Sequence, residues 1–156
     1  MPTTGWWRIL PVSLHAFIYL GRFDRPIGWW LLLLPGWWVI PIGAPSVVSM
    51  CWLMALFLAG AIITRAAGCI INDLWDRRLD RQVKRTLQRP LASGAVSVGA
   101  AFIFLGILGT IGIGILWQLP DIAIYVGLAA TPLVIVYPLA KRCLLYTSDA
   151  ADDQAC

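Results

Sequence analysis

Asn72, Asp73, Asp76 and Asp80 close one of the apolar runs of this chain. Steps of three and four put the carboxylates on one face of a continuing helix. Like charges stacked this way repel, by a few tenths of a kcal/mol per pair when exposed and by more near lipid. A cation offsets that repulsion. Mg²⁺ suits the acids, because it keeps several waters and is held by one or two carboxylates together with substrate phosphates. Lys84, Arg85 and Arg89 follow directly. The planar fork of a guanidinium matches phosphate oxygens in pairs. Acids flanked by these bases describe a site for a metal-bound diphosphate; a solvated, salt-bridged loop is the plainer interpretation, above all for Arg77, Arg78 and Arg81.

The elements that carry these residues follow from composition. The chain has 156 residues, 60% hydrophobic and 13% charged, with a mean hydropathy of +0.78. A soluble domain is about 45–50% apolar and about 25% charged. An ordinary globular domain, a disordered chain and a coiled coil are excluded. An integral membrane protein remains. There are 12 basic and 8 acidic residues, net +4, and every acid is Asp. The bases sit at the ends of apolar runs rather than over a solvated face, so nucleic acid is not the expected partner. Cys51, Cys69, Cys143 and Cys156 lack zinc or disulfide spacing. His15 is an interfacial residue rather than a ligand.

Four spanning helices are expected, at about 27–42, 50–71, 96–117 and 122–140. Trp6, Trp7 and Arg8, with the pattern that runs on to Leu20, suit a segment lying on the bilayer. Arg22 and Arg25 precede the first span, six bases lie between the second and third, and Lys141 and Arg142 follow the fourth. The alternate loops, 43–49 and 118–121, hold neither Lys nor Arg. All basic clusters therefore share one side, the cytoplasmic one or its equivalent, with both ends on it.

The stretch from Asn72 to Asp80, with Lys84, Arg85, Arg89, Pro90, Leu91 and Gly94 after it, resembles the first aspartate motif of the UbiA-type membrane prenyltransferases. Arg22 to Gly28, Arg65 to Cys69, and Tyr137, Pro138, Lys141 and Arg142 match as well. The resemblance covers about Leu14 to Arg142. It is strongest to the branch that prenylates 4-hydroxybenzoate in ubiquinone biosynthesis; the menaquinone, haem and chlorophyll branches share the aspartates.

The resemblance implies an all-α membrane bundle of which this chain is the N-terminal half. It implies transfer of a polyprenyl group from a polyprenyl diphosphate to the ring of 4-hydroxybenzoate, with Mg²⁺ as cofactor. Asn72, Asp73, Asp76 and Asp80 would belong to the metal site. Lys84, Arg85, Arg89, Tyr137 and Lys141 would face the diphosphate. Arg22 and Arg65 would serve the aromatic substrate. Asp76, Asp80 and Arg65 are the candidate catalytic residues. Arg65 is also singled out without the resemblance, since a charge inside a spanning helix is a functional candidate by default.

The family has about nine spans and a second D-x-x-x-D motif. Asp149 and Asp153 have that spacing but lie in no apolar helix. Residues 1–142 are expected to form a partial prenyltransferase domain, and residues 143–156 a non-native or disordered tail. The isolated chain is expected to be inactive, with activity in the longer parent. A bacterial inner membrane is favoured, with the mitochondrial inner membrane as the alternative. The rival functions are a membrane cation transporter or channel module and, more remotely, a CDP-alcohol phosphatidyltransferase, whose Asp-Gly order this motif lacks.

Overall fold

The computed structural model describes residues 11–84, 86–133 and 135–136. Every regular element among them is a helix: α1 (Val12–Leu20), α2 (Ile27–Gly43), α3 (Val47–Asp80), α4 (Val98–Leu116) and α5 (Asp121–Leu133). Helices are what an apolar chain must form where no water can satisfy backbone N–H and C=O groups. Ser46 and Ser97 start α3 and α4 by accepting from the backbone N–H of Ser49 and Ala100, each at 3.2 Å. Such a cap satisfies one of the donors left open in a first helical turn. Pro26 precedes α2, and Pro35 and Pro41 lie within it.

α2, α3 and α4 pack antiparallel in chain order. Gly28 lies against Arg65, Gly36 against the Phe57 ring, and Trp37 Nε1 donates to the Met54 carbonyl at 3.1 Å. These pairs run in opposite directions along α2 and α3. Gly60 faces Ile115 and Gly112 faces Ile63, which does the same for α3 and α4. Glycine lets neighbouring backbones or rings approach where a Cβ would intrude, and Gly36 is such a place under the Phe57 ring. α1 packs on α3, and its Phe17 meets Phe104 of α4 edge-on at 5.3 Å between ring centroids. Its buried Ile18 and Leu20 tie it into the bundle.

α3 and α4 are long and apolar enough to cross a membrane, while α2 and α5 are shorter apolar helices. Large apolar side chains such as Leu31, Val39, Phe102, Ile103 and Ile113 cover the outer faces, as lipid contact favours. The 34 residues of α3 rise about 51 Å, against about 30 Å of hydrocarbon. The apolar run read as ending at residue 71 therefore continues as the same helix through the aspartates.

The tightest core lies at the aspartate end of the bundle. Leu20, Ala66, Ile70, Leu91, Val96, Ala101 and Leu108 form it. Leu91 and Val96 come from the connection between α3 and α4, which turns back onto the helices instead of trailing into water. Gly94, at φ +81°, makes that reversal possible without strain.

Candidate functional site

At 100° per residue, Arg65, Asn72, Asp76 and Asp80 fall within about 80° of one another around α3. Asp73 lies at the edge of this polar face, next to the direction of Ala66 and Ile70, which belong to the core. That position explains its burial: Asp73 is 1% exposed, Asp80 is 7% exposed, and Asn72 and Asp76 are half-buried.

A buried carboxylate needs partners, because an unpaired charge out of water is expensive. Asp73 has two. Arg22 Nη2 and Arg89 Nη1 both donate to its Oδ1 at 3.1 Å. Arg89 Nη1 also donates to Asp80 Oδ2 at 2.7 Å. The two guanidiniums are thus held within two hydrogen-bond lengths of each other on one oxygen. Asp73 and Asp80 are seven residues apart, two helical turns, and Arg89 spans the gap.

Arg22 comes from the turn between α1 and α2 and adopts φ +55°. A left-handed conformation costs a non-glycine residue about 1–2 kcal/mol. Its guanidinium reaches Asp73 from that turn. Arg89 is presented by an ordered connection. Thr86 Oγ1 donates to the Asp80 carbonyl at 3.0 Å, and Arg81 Nε donates to the Ala92 carbonyl at 3.3 Å. These contacts also place the basic clusters around residues 22 and 77–89 at one end of the bundle, because Arg22 and Arg89 meet there.

Arg65 lies two turns deeper. It is exposed, and its guanidinium crosses Gly28 so closely that a Cβ there would stand 2.6 Å from Nε. Lys84 is exposed. Arg85, Tyr137 and Lys141 lie outside the described residues, as do Asp149 and Asp153.

The expected set of four metal ligands is distributed unevenly. No group of three His, Cys, Asp or Glu side chains among the described residues is arranged to hold an ion between them. Asp73 is instead committed to two guanidiniums. Asn72, Asp76 and Asp80 add hard oxygen donors on one face, with Asp80 Oδ2 also accepting from Arg89 at 2.7 Å. Mg²⁺ takes one or two carboxylates and completes its shell with water and phosphate oxygens, so this donor set fits it.

Sequence reasoning missed the pairing of Arg22 with Arg89. The resemblance sets Arg22 with the aromatic substrate and Arg89 with the diphosphate. The available signal was the intervening acid: two arginines outside a span need a buried anion to approach, and Asp73 supplies it. An open apolar cleft of about 320 Å³, lined by Ile71, Leu74, Trp75 and Phe102, lies on the far side of α3 from the aspartates.

The profile described as "UbiA prenyltransferase family" matches residues 9–148. The chain is 44% identical to "4-hydroxybenzoate polyprenyltransferase, mitochondrial" of Homo sapiens, over 85% of this chain and 36% of that protein. It is 41% identical to the Saccharomyces cerevisiae protein of the same name, over 90% and 39%. It is 40% identical to "4-hydroxybenzoate geranyltransferase 1" of Lithospermum erythrorhizon, over 85% and 43%. The chain therefore spans 36% to 43% of the length of these relatives. No solved structure matches it.

Proposed function

This chain belongs to the UbiA prenyltransferase family, and from that membership we propose that it supplies the diphosphate-binding end of a 4-hydroxybenzoate polyprenyltransferase of ubiquinone biosynthesis. The observation that carries this is the meeting of Arg22 and Arg89 on Asp73, beside Asn72, Asp76 and Asp80. Two guanidiniums beside hard oxygen donors suit a diphosphate and its metal ion. A transport site for a cation gives no reason for the guanidiniums. The names of the relatives carry 4-hydroxybenzoate as the aromatic substrate and a polyprenyl group as the one transferred.

In this proposal Asn72, Asp76 and Asp80 hold Mg²⁺, which when bound neutralises charge on the leaving diphosphate. Arg89 and Lys84 bind the diphosphate oxygens, with Arg85, Tyr137 and Lys141 completing the set. Donors fixed in advance where negative charge develops stabilise it without reorganisation. The allylic C–O bond breaks, and its electron pair leaves with the diphosphate. The ring carbon ortho to the phenol forms the new C–C bond, and the proton on that carbon is released. Arg65, on the same face of α3, binds the carboxylate of 4-hydroxybenzoate and holds the ring near the reacting carbon.

The membrane is an inner membrane, with the basic clusters on one side. The human and yeast relatives are named as mitochondrial, so the expected preference for a bacterial inner membrane over the mitochondrial alternative gains no specific support.

The test uses the full-length protein, purified and supplied with polyprenyl diphosphate, 4-hydroxybenzoate and Mg²⁺. Ring-prenylated product that disappears on chelation, and is restored by added Mg²⁺, is the expected result. No product, or turnover indifferent to divalent metal, defeats the proposal.

A further inference from the structure

We propose that Asp73 is a positioning residue for the diphosphate rather than a ligand of the metal: it holds Arg22 and Arg89 together as one anion-binding pair. The inference rests on the diphosphate site proposed above and adds Arg22 to it.

Three observations support it. First, Asp73 Oδ1 already accepts from two guanidiniums at 3.1 Å. A cation placed on that oxygen would stand against two positive charges. Second, the two guanidiniums come from segments far apart in the chain, the α1–α2 turn and the α3–α4 connection, and repel each other unless an anion lies between them. Asp73 is that anion, and at 1% exposure it cannot move out to follow solvent. Third, Arg22 reaches it from a left-handed backbone conformation. Strain of this kind persists where the surrounding structure holds a residue for a task.

The remaining donors explain what the pair is for. A guanidinium has five N–H groups in a fixed fork. Arg89 meets both acids through Nη1 alone, and Arg22 meets Asp73 through Nη2 alone. The nitrogens not engaged by these acids are Nη2 and Nε of Arg89 and Nη1 and Nε of Arg22. The Arg22 side chain stays 31% exposed and that of Arg89 27%. Two forks fixed side by side match the two phosphoryl groups of a diphosphate.

The test uses charge-conserving variants, because removing a carboxylate would by itself tighten an anion and loosen a cation. In the full-length protein, Mn²⁺ affinity is measured without diphosphate by electron paramagnetic resonance. Inorganic pyrophosphate affinity is measured without metal by calorimetry. Asp73→Glu is expected to leave Mn²⁺ affinity within about twofold and to weaken pyrophosphate about tenfold, the size of one lost charge-assisted hydrogen bond. Asp76→Glu is expected to do the reverse. Arg22→Lys keeps the charge and loses the fork, so pyrophosphate should weaken and Mn²⁺ should not. The losses from Asp73→Glu and Arg22→Lys should not add, since both act on the same pair.

Loss of Mn²⁺ affinity in Asp73→Glu matching that in Asp76→Glu would make Asp73 a metal ligand and overturn the inference. Unchanged pyrophosphate binding in Arg22→Lys would overturn it also, and needs no Asp73 variant to fold. If the wild type binds pyrophosphate only with metal, the pair is no anion site, yet the enzyme proposal stands. If it binds neither metal nor pyrophosphate under any condition, the enzyme proposal itself fails.

Discussion

Arg89 Nη1 lies 2.7 Å from Asp80 Oδ2, so the connection after α3 is fastened to the last turn of the helix it leaves. The same nitrogen reaches Asp73. One side chain therefore ties the chain reversal to the buried carboxylates, and the order of the loop and the shape of the site depend on each other.

Replacing Arg89 by Lys should show this dependence. A lysine ammonium cannot reproduce the spread of the guanidinium fork. Both acids are buried, and weakening a buried pair leaves charge poorly compensated. We expect a loss of about 2 kcal/mol, with new protease cleavage between residues 81 and 97. Thermal unfolding in detergent and limited proteolysis measure the two effects. Wild-type stability and an intact loop would show that Arg89 does not fasten it.

The left-handed backbone at Arg22 separates strain from charge. Arg22→Ala and Arg22→Gly both remove the ion pair to Asp73. Only glycine accepts φ +55° freely. The glycine variant should therefore be the more stable of the two by about 1 kcal/mol. Equal unfolding midpoints would mean that the turn relaxes when the arginine leaves.

Gly28 should act on Arg65 rather than on the fold. A Cβ at Gly28 would come 2.6 Å from Arg65 Nε, the far part of a flexible side chain that can swing aside. Gly28→Ala should cost less than about 1 kcal/mol of stability. In the full-length enzyme it should raise KM for 4-hydroxybenzoate about tenfold, through loss of a charged contact, and leave KM for the polyprenyl diphosphate unchanged. A rise in the second constant instead would place Arg65 with the diphosphate.

Gly94 tests the chain reversal alone. Its φ is +81°, and a Cβ there would meet nothing within 4 Å. Any cost of Gly94→Ala is therefore a backbone cost, about 1 kcal/mol. Gly94→Asn should lose less than Gly94→Val, since asparagine tolerates the left-handed region and β-branched residues do not. Denaturation of the three variants side by side gives the order directly.

Much of this protein is written in local patterns. The apolar runs announce membrane helices because no other backbone arrangement except a closed barrel satisfies its polar groups in lipid. The spacing of Asn72, Asp76 and Asp80 defines one face of one helix, since helical periodicity is a property of consecutive residues. The motif and its basic tail were sufficient to indicate the family, because they are contiguous in sequence. The same periodicity could not say where the helix ends: the run read to residue 71 continues to Asp80, since capping and packing, not hydropathy, stop it.

The partners of the charges were decided by the tertiary structure. Asp73 and Arg22 are 51 residues apart, and Asp73 and Arg89 are 16 apart across a chain reversal. From spacing alone Asp73 counted as one more acid in a metal motif. Its burial beside Ala66 and Ile70, and the arrival of two guanidiniums from separate segments, come only from packing α1, α3 and the connection before α4 together. Ion pairing depends on distance and local dielectric, and neither quantity exists until the helices have docked.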